Sequence, residues 1–233
     1  MTPAARIDHL VVAAATLDEG VAWCEATLGV VPGPGGQHPF MGTHNRLLAL
    51  GGERFPRCYF EIIAIDPAAA PARARHQRRW FDLDDPALRA ALATAGPRLV
   101  HWVARVPDAR AAVHALAAQQ SHIDRGQVLA ASRETPQGRL DWQITVRDDG
   151  QRLFYGALPT LIQWGGVHPA DGFAPSGLSL LALEATHPRP EVLQAALATV
   201  GAKDLITVKA GTPNFIAQLM TPKGPVALES KGL

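Results

Sequence analysis

The chain has 233 residues, of which 47% are hydrophobic and 18% charged. That composition supports a globular core and excludes extended disorder. A formal net charge of +1 leaves no electrostatic footprint for general nucleic-acid binding. Two cysteines, Cys24 and Cys58, cannot build a disulfide framework or a four-thiolate zinc site. They read as small buried hydrophobes. No run reaches the roughly 18 apolar residues of a membrane span, and the charged opening residues lack the apolar core of a signal peptide. A cytoplasmic protein without a membrane partner is expected.

The first strand is expected at Arg6–Ala13, with Ile7, His9 and Val11 on one side by period-two alternation. A helix over Leu17–Leu28 follows, opened by a Thr16/Glu19 capping pattern and stopped by Gly29. A Gly/Pro-rich loop, residues 32–36, leads into His38–Leu50, and Cys58–Ile65 is a strong strand. This first unit spans 1–66. Residues 67–98 break the cadence and read as an insertion. It has an Ala/Pro-rich stretch at 67–71, a basic cluster of Arg73, Arg75, Arg78 and Arg79, then Asp82, Asp84 and Asp85, and a helix over 86–95. The arginines could attract an anionic substrate or product; the aspartates could equally neutralise them in a solvated loop, which is the favoured reading.

The cadence repeats over 99–166. A strand at 99–106 precedes a helix at 107–118 and strands at 128–133, 140–146 and 158–164. A third pass, 177–233, has a strand at 178–184, a helix at 190–200 and three short strands. The organisation is a repeat of strand, helix and further strands about every 60 residues.

Ligand-type side chains interrupt the apolar strands. His9 and Glu61 lie in the first and last strands of unit one, and His101 and Gln163 in those of unit two. A buried polar group without a partner costs about 1–3 kcal/mol and a charge far more. One divalent ion (Zn, Fe, Mn, Ni or Co) could satisfy all four. Each alone also reads as a hydrogen-bonded core residue; recurrence at equivalent places favours the shared site. His38, His44, Asn45 and Arg46 form a second polar cluster, readable as a turn or as a substrate-orienting rim, with Arg46 best suited to reach a ligand. His114, His122, His168 and His187 have no spacing partner and receive no role.

The stretches Ile7-Asp8-His9, His38-Pro-Phe-Met-Gly-Thr-His-Asn-Arg-Leu47 and Tyr59-Phe-Glu-Ile-Ile63 resemble the glyoxalase-like domain family of the vicinal oxygen chelate superfamily. The resemblance covers roughly residues 5–165. It implies an α+β fold in which paired βαβββ modules form a cupped half-barrel of mixed sheet, with helices outside. It also implies metal ligands in the first and last strands of the modules, where His9, Glu61, His101 and Gln163 fall. The third unit lacks an inward histidine and is expected to be structural, covering a sheet edge.

One departure matters. Glyoxalase I enzymes of the superfamily carry two glutamates, one serving as base, whereas Gln163 is a neutral amide that cannot take a proton. Glutathione-dependent glyoxalase I activity is therefore not expected. Glu61 is the candidate catalytic base, and Arg46, Gln163 and His38 are candidate substrate contacts. The leading reading is a homodimeric lyase- or isomerase-type enzyme acting on a small oxygenated molecule, with or without a divalent metal. The rival is a metal-free protein that binds or sequesters a small molecule.

Overall fold

The computed structural model describes residues 5–70, 74, 76–135 and 138–233. Arg73, Arg75 and the Pro71 end of the Ala/Pro stretch lie outside the described residues. The first module is β1 (Arg6–Ala13), α1 (Leu17–Leu28), β2 (Gln37–His38), β3 (Thr43–Leu50) and β4 (Cys58–Ile65). α2 (Pro86–Ala95) follows. The second module is β5 (Arg98–Arg105), α3 (Ala109–Ala117), β6 (Gln127–Thr135), β7 (Gly138–Val146) and β8 (Thr160–Trp164). The third unit is β9 (Ser179–His187), α4 (Pro190–Thr199), β10 (Thr207–Ala210), β11 (Asn214–Thr221) and β12 (Gly224–Glu229).

Local signals set the helix ends. Thr16 Oγ1 accepts from Glu19 N, and Gly29 closes α1 at φ 76°. Asp85 caps α2 and Asp108 caps α3, each satisfying N–H groups that a helix cannot pair internally.

Eight strands form one curled mixed sheet in the order β2-β3-β4-β1-β5-β8-β7-β6. β1 runs parallel to β4, β5 parallel to β8, and the modules join where β1 and β5 pair antiparallel. Alternation sorts the side chains. Leu10, Val12, Phe60, Ile62 and Trp102 enter an outer core with Cys24 and Leu28 of α1. Val11, Ala13, Ile63, Val103 and Ile162 enter an inner one.

The segment between the modules is more than a connector. Phe81, Leu83, Leu88 and Leu92 belong to the inner core, so α2 and the turn before it fill part of the cup. Asp82 ties that turn to the second module, accepting from Arg152 Nε at 2.9 Å. Arg79 pairs with Asp84, so at least one arginine of the basic cluster is neutralised locally. Phe81 and Asp82 hold left-handed φ values of 59° and 56°, a conformation costly for residues with a Cβ.

The third unit has the expected element order but a different topology. In the first module the last strand returns beside the first. Here β10, directly after α4, pairs parallel with β9, giving the order β10-β9-β11-β12. The unit covers a face of the large sheet rather than an edge. Leu180, Leu183, Leu193, Phe215 and Leu219 join the outer core that holds Trp102 and Leu99. Lys223 Nζ donates to Glu25 O and Ala26 O, at 3.0 and 2.6 Å. It places a cation at the negative end of α1, whose own last turn has none.

Two outcomes follow from this packing. Deleting residues 177–233 uncovers the outer core, and the shortened chain is expected to be insoluble or to unfold well below the intact chain in a thermal melt. In Gly20→Ala, a Cβ would sit 2.4 Å from Ile62 Cγ2. Overpacking of about 1–3 kcal/mol outweighs the roughly 1 kcal/mol helix gain. The melting temperature should fall by a few degrees rather than rise.

Candidate active site

A cavity of about 680 Å³ opens on the inner face of the curled sheet. Tyr59, Trp80, Phe81, Trp142 and Trp164 line it, giving flat apolar walls of the kind that hold small organic molecules. The edge strands of the large sheet border it, β2 through Gln37 and His38, and β6 through residues 129–133.

His9 and Glu61 meet in this cavity, each 5% exposed. Residues 9 and 11 of β1 share the inner face, and Val11 pairs with Glu61 across the parallel ladder. His9 Nε2 lies 3.6 Å from Glu61 Oε2, and the imidazole stacks on Tyr59 at 4.4 Å. Glu61 Oε1 accepts from Asn45 Nδ2 at 2.6 Å. Asn45 Oδ1 in turn accepts from Gly36 N at 2.7 Å, which fixes the amide orientation. The loop can close over Asn45 because residue 35 is glycine; a Cβ there would lie 2.1 Å from Asn45 O.

Asp8 anchors the other side of His9. It is fully buried. Its Oδ1 accepts from His9 Nδ1 at 2.7 Å, and its Oδ2 from His168 Nε2 and Trp164 Nε1, both at 2.9 Å. His168 Nδ1 accepts from Ala170 N, so its Nε2 carries the proton given to Asp8. Burial alone would raise the Asp8 pKa, but the hydrogen bonds and charges of His168 and His9 hold it well below the ordinary carboxylate range. With Nδ1 committed to Asp8, His9 presents Nε2 to the cavity. A ring nitrogen and a carboxylate oxygen thus face each other across 3.6 Å. Burial, only partly opposed by Glu61, lowers the His38 pKa to about 4, so His38 is neutral near pH 7. Burial and the negative charges of Asp8 and Glu61 keep the Tyr59 phenol protonated.

The four expected metal ligands do not converge. His101 shares the inner face, paired with Val11, but both its nitrogens are engaged. Nδ1 donates to Gly156 O, and Nε2 accepts from Thr160 N, each at 3.0 Å. Burial and the nearby Arg125 and Arg152 hold this imidazole neutral, its pKa well below the usual histidine value. Gln163 points to the opposite face, where its Oε1 accepts from Ala109 N in the first turn of α3. The register gives the reason. Val103, two residues beyond His101, pairs with Thr160, as Val11, two beyond His9, pairs with Glu61. The true counterpart of Glu61 is therefore Thr160, and the second module uses the equivalent place for a hydrogen-bonded lock. Among the described residues, no group of three or more His, Cys, Asp or Glu is placed to hold a metal ion. The donors present do not fit the metal set implied by the family resemblance.

Of the expected substrate contacts, His38 lines the cavity and Arg46 does not. Arg46 alternates to the outer face with Leu48, opposite Ile62. Among the described residues, the cation lining the cavity is Arg133 of β6, whose guanidinium packs where a Cβ of Gly36 would stand. Sequence reasoning missed Asp8, His168, Trp164 and Arg133. Asp8 sits beside His9 in the motif and was legible in principle; the others meet the site only through tertiary structure.

Asp8→Asn removes the buried charge shared by two histidines. Breaking such a network costs roughly 3–5 kcal/mol, measurable by urea unfolding at pH 7. Because the folded pKa of Asp8 is depressed, its stabilisation is present above the unfolded carboxylate pKa, about 3.9, and is lost as pH falls below it. The variant should therefore show a shallower loss of stability under acid than the wild type.

No curated protein sequence is significantly similar to the chain. Among solved structures, a hypothetical protein from Staphylococcus aureus superposes with a TM-score of 0.56 at 14% identity, covering 97% of this chain and 85% of that one. A methylmalonyl-CoA epimerase bound to methylmalonyl-CoA and NH4+ gives a TM-score of 0.41 at 18% identity, covering 71% of this chain and 99% of the other. The epimerase from Mycobacterium tuberculosis gives 0.37 at 16%, covering 68% and 86%. A family model described as a glyoxalase-like domain matches residues 7–201. The chain belongs to the glyoxalase-like domain family.

Proposed function

We propose that the protein is an isomerase- or lyase-type enzyme that moves a proton on a small oxygenated molecule held in the aromatic cup, with Glu61 as the base. One observation carries the reading: the Asp8–His9–Glu61–Asn45 chain lies at the cavity, with Glu61 Oε2 and His9 Nε2 3.6 Å apart. Asn45 holds one carboxylate oxygen, leaving the other for the substrate. Glu61 takes a proton from a carbon next to a carbonyl. His9, when it carries a second proton, donates from Nε2 to the oxygen on which negative charge develops. Asp8 holds the ring in place through Nδ1. The proton then returns from Glu61 to carbon, or a leaving group departs. Arg133 supplies a positive charge to orient an anionic group of the substrate.

No helix among the described residues is long and apolar enough to cross a membrane, and the walls suit a small molecule rather than a polymer. Proton exchange in D2O tests the reading. A panel of small 2-oxo acids, hydroxy ketones and thioesters is incubated with the protein, and loss of the α-proton signal is followed by NMR. The wild type should exchange at least one compound catalytically. Glu61→Gln should slow this by roughly 10²–10⁴-fold, and a chelator should leave it unchanged, because side chains supply both acid and base. Saturable binding with no exchange across the panel would instead support the sequestering protein.

A further inference from the structure

Behind the wall of the active cavity lies a second one, of about 310 Å³. Its polar lining is dominated by Arg6, Arg57 and Arg105, and Trp164 is shared with the active cavity. Arg6 and Arg105 are direct partners across the β1–β5 ladder, an arrangement in which like charges repel. Arg57 pairs with Asp171 at 2.5 Å. Among the described residues, neither Arg6 nor Arg105 has a carboxylate in ion-pair contact, and none lines the cavity. Burial and the neighbouring Arg57 and Arg6 lower the Arg105 pKa, though Asp8 opposes them. Three guanidinium groups against Asp171 at the rim and the deeper Asp8, which also acts on Arg105, leave one positive charge unmatched.

We infer that this cavity binds an oxyanion of the phosphate class, either the free ion or a small phosphate monoester. Guanidinium groups match phosphate oxygens in geometry and charge, and the anion relieves the repulsion between Arg6 and Arg105. Pro107 and Val106 line one side. The site is distinct from the aromatic cup but touches it. Trp164 lines both cavities and donates to Asp8 Oδ2, the carboxylate that also holds His9. The inference does not depend on the chemistry proposed for Glu61.

The test is calorimetric titration of the full chain with inorganic phosphate and with glycerol 3-phosphate, at constant ionic strength and against chloride. Parallel NMR spectra follow the tryptophan indole N–H signals. Saturable phosphate binding is expected, with the Trp164 signal moving and that of Trp23, on α1, unmoved. Arg105→Gln should weaken binding at least tenfold and Arg6→Gln, at an exposed position, at least fivefold. Gln163→Glu adds a carboxylate to the lining without removing an arginine and should also weaken binding; it keeps the test decisive if Arg105→Gln misfolds. Lys209→Gln, on β10, should leave affinity unchanged. Tighter binding of the ester would identify the monoester as the ligand, and tighter binding of phosphate the free ion. A non-saturating response, or equal affinity in all variants, would overturn the inference.

Discussion

A carboxylate with no access to water organises this protein. Asp8 cannot stay ionised in the interior unless donors surround it, and these come from three places: His9 beside it in β1, Trp164 at the end of β8, and His168 in the segment after β8. Satisfying one buried charge therefore ties the first module to the far end of the second. The same bonds set the tautomers of His9 and His168, so the electrostatic requirement of the core also decides which nitrogen of His9 reaches the cavity. Replacing Asp8 with an apolar residue would free the imidazole that it now orients toward the cavity.

Much of the fold was legible because it rests on local signals. The strand at Arg6–Ala13 and the helix at Leu17–Leu28, with its Thr16 cap and Gly29 stop, stand where alternation and capping place them. The pairing of strands was less legible. The third unit has the same element order as the modules, yet β10 pairs with β9, because nothing local to a short strand states which neighbour it will find. The site divides in the same way. His9 and Glu61 were readable as polar residues stranded in apolar strands. Gln163 was misplaced by a matter of parity: Thr160 and Ile162 face inward, so Gln163 must face outward. Choosing between Thr160 and Gln163 needs the ladder register, which no single strand encodes.

The two modules differ most where they are most alike. His9 keeps a nitrogen for the cavity, whereas His101 gives both of its own to Gly156 and Thr160. The difference follows from one ladder position, occupied by Glu61 in one module and by Thr160 in the other. A hydroxyl and a backbone amide complete an imidazole as hydrogen-bond partners; a carboxylate beside it leaves a proton to be shared. The segment carrying Trp80 and Phe81 then closes the cup from the side of the locked histidine, with Phe81 against the His101 ring at 5.2 Å. The second module thus lines the cup with Trp142, Ile144 and Trp164 beside the first module's His9 and Glu61.

The approach of Arg133 to Gly36 has a consequence of its own. β6 and β2 are the two free ends of an eight-strand ladder, yet they border one cavity and nearly meet through a single side chain. A molecule that fills the cup would touch both ends at once and act as a clasp. Backbone amides of β6, the most exposed strand of the large sheet, would then open to solvent less often. The protein's slowest-breathing form would be its loaded one, with occupancy written into the hydrogen-exchange rates of a strand that contributes no base to the chemistry.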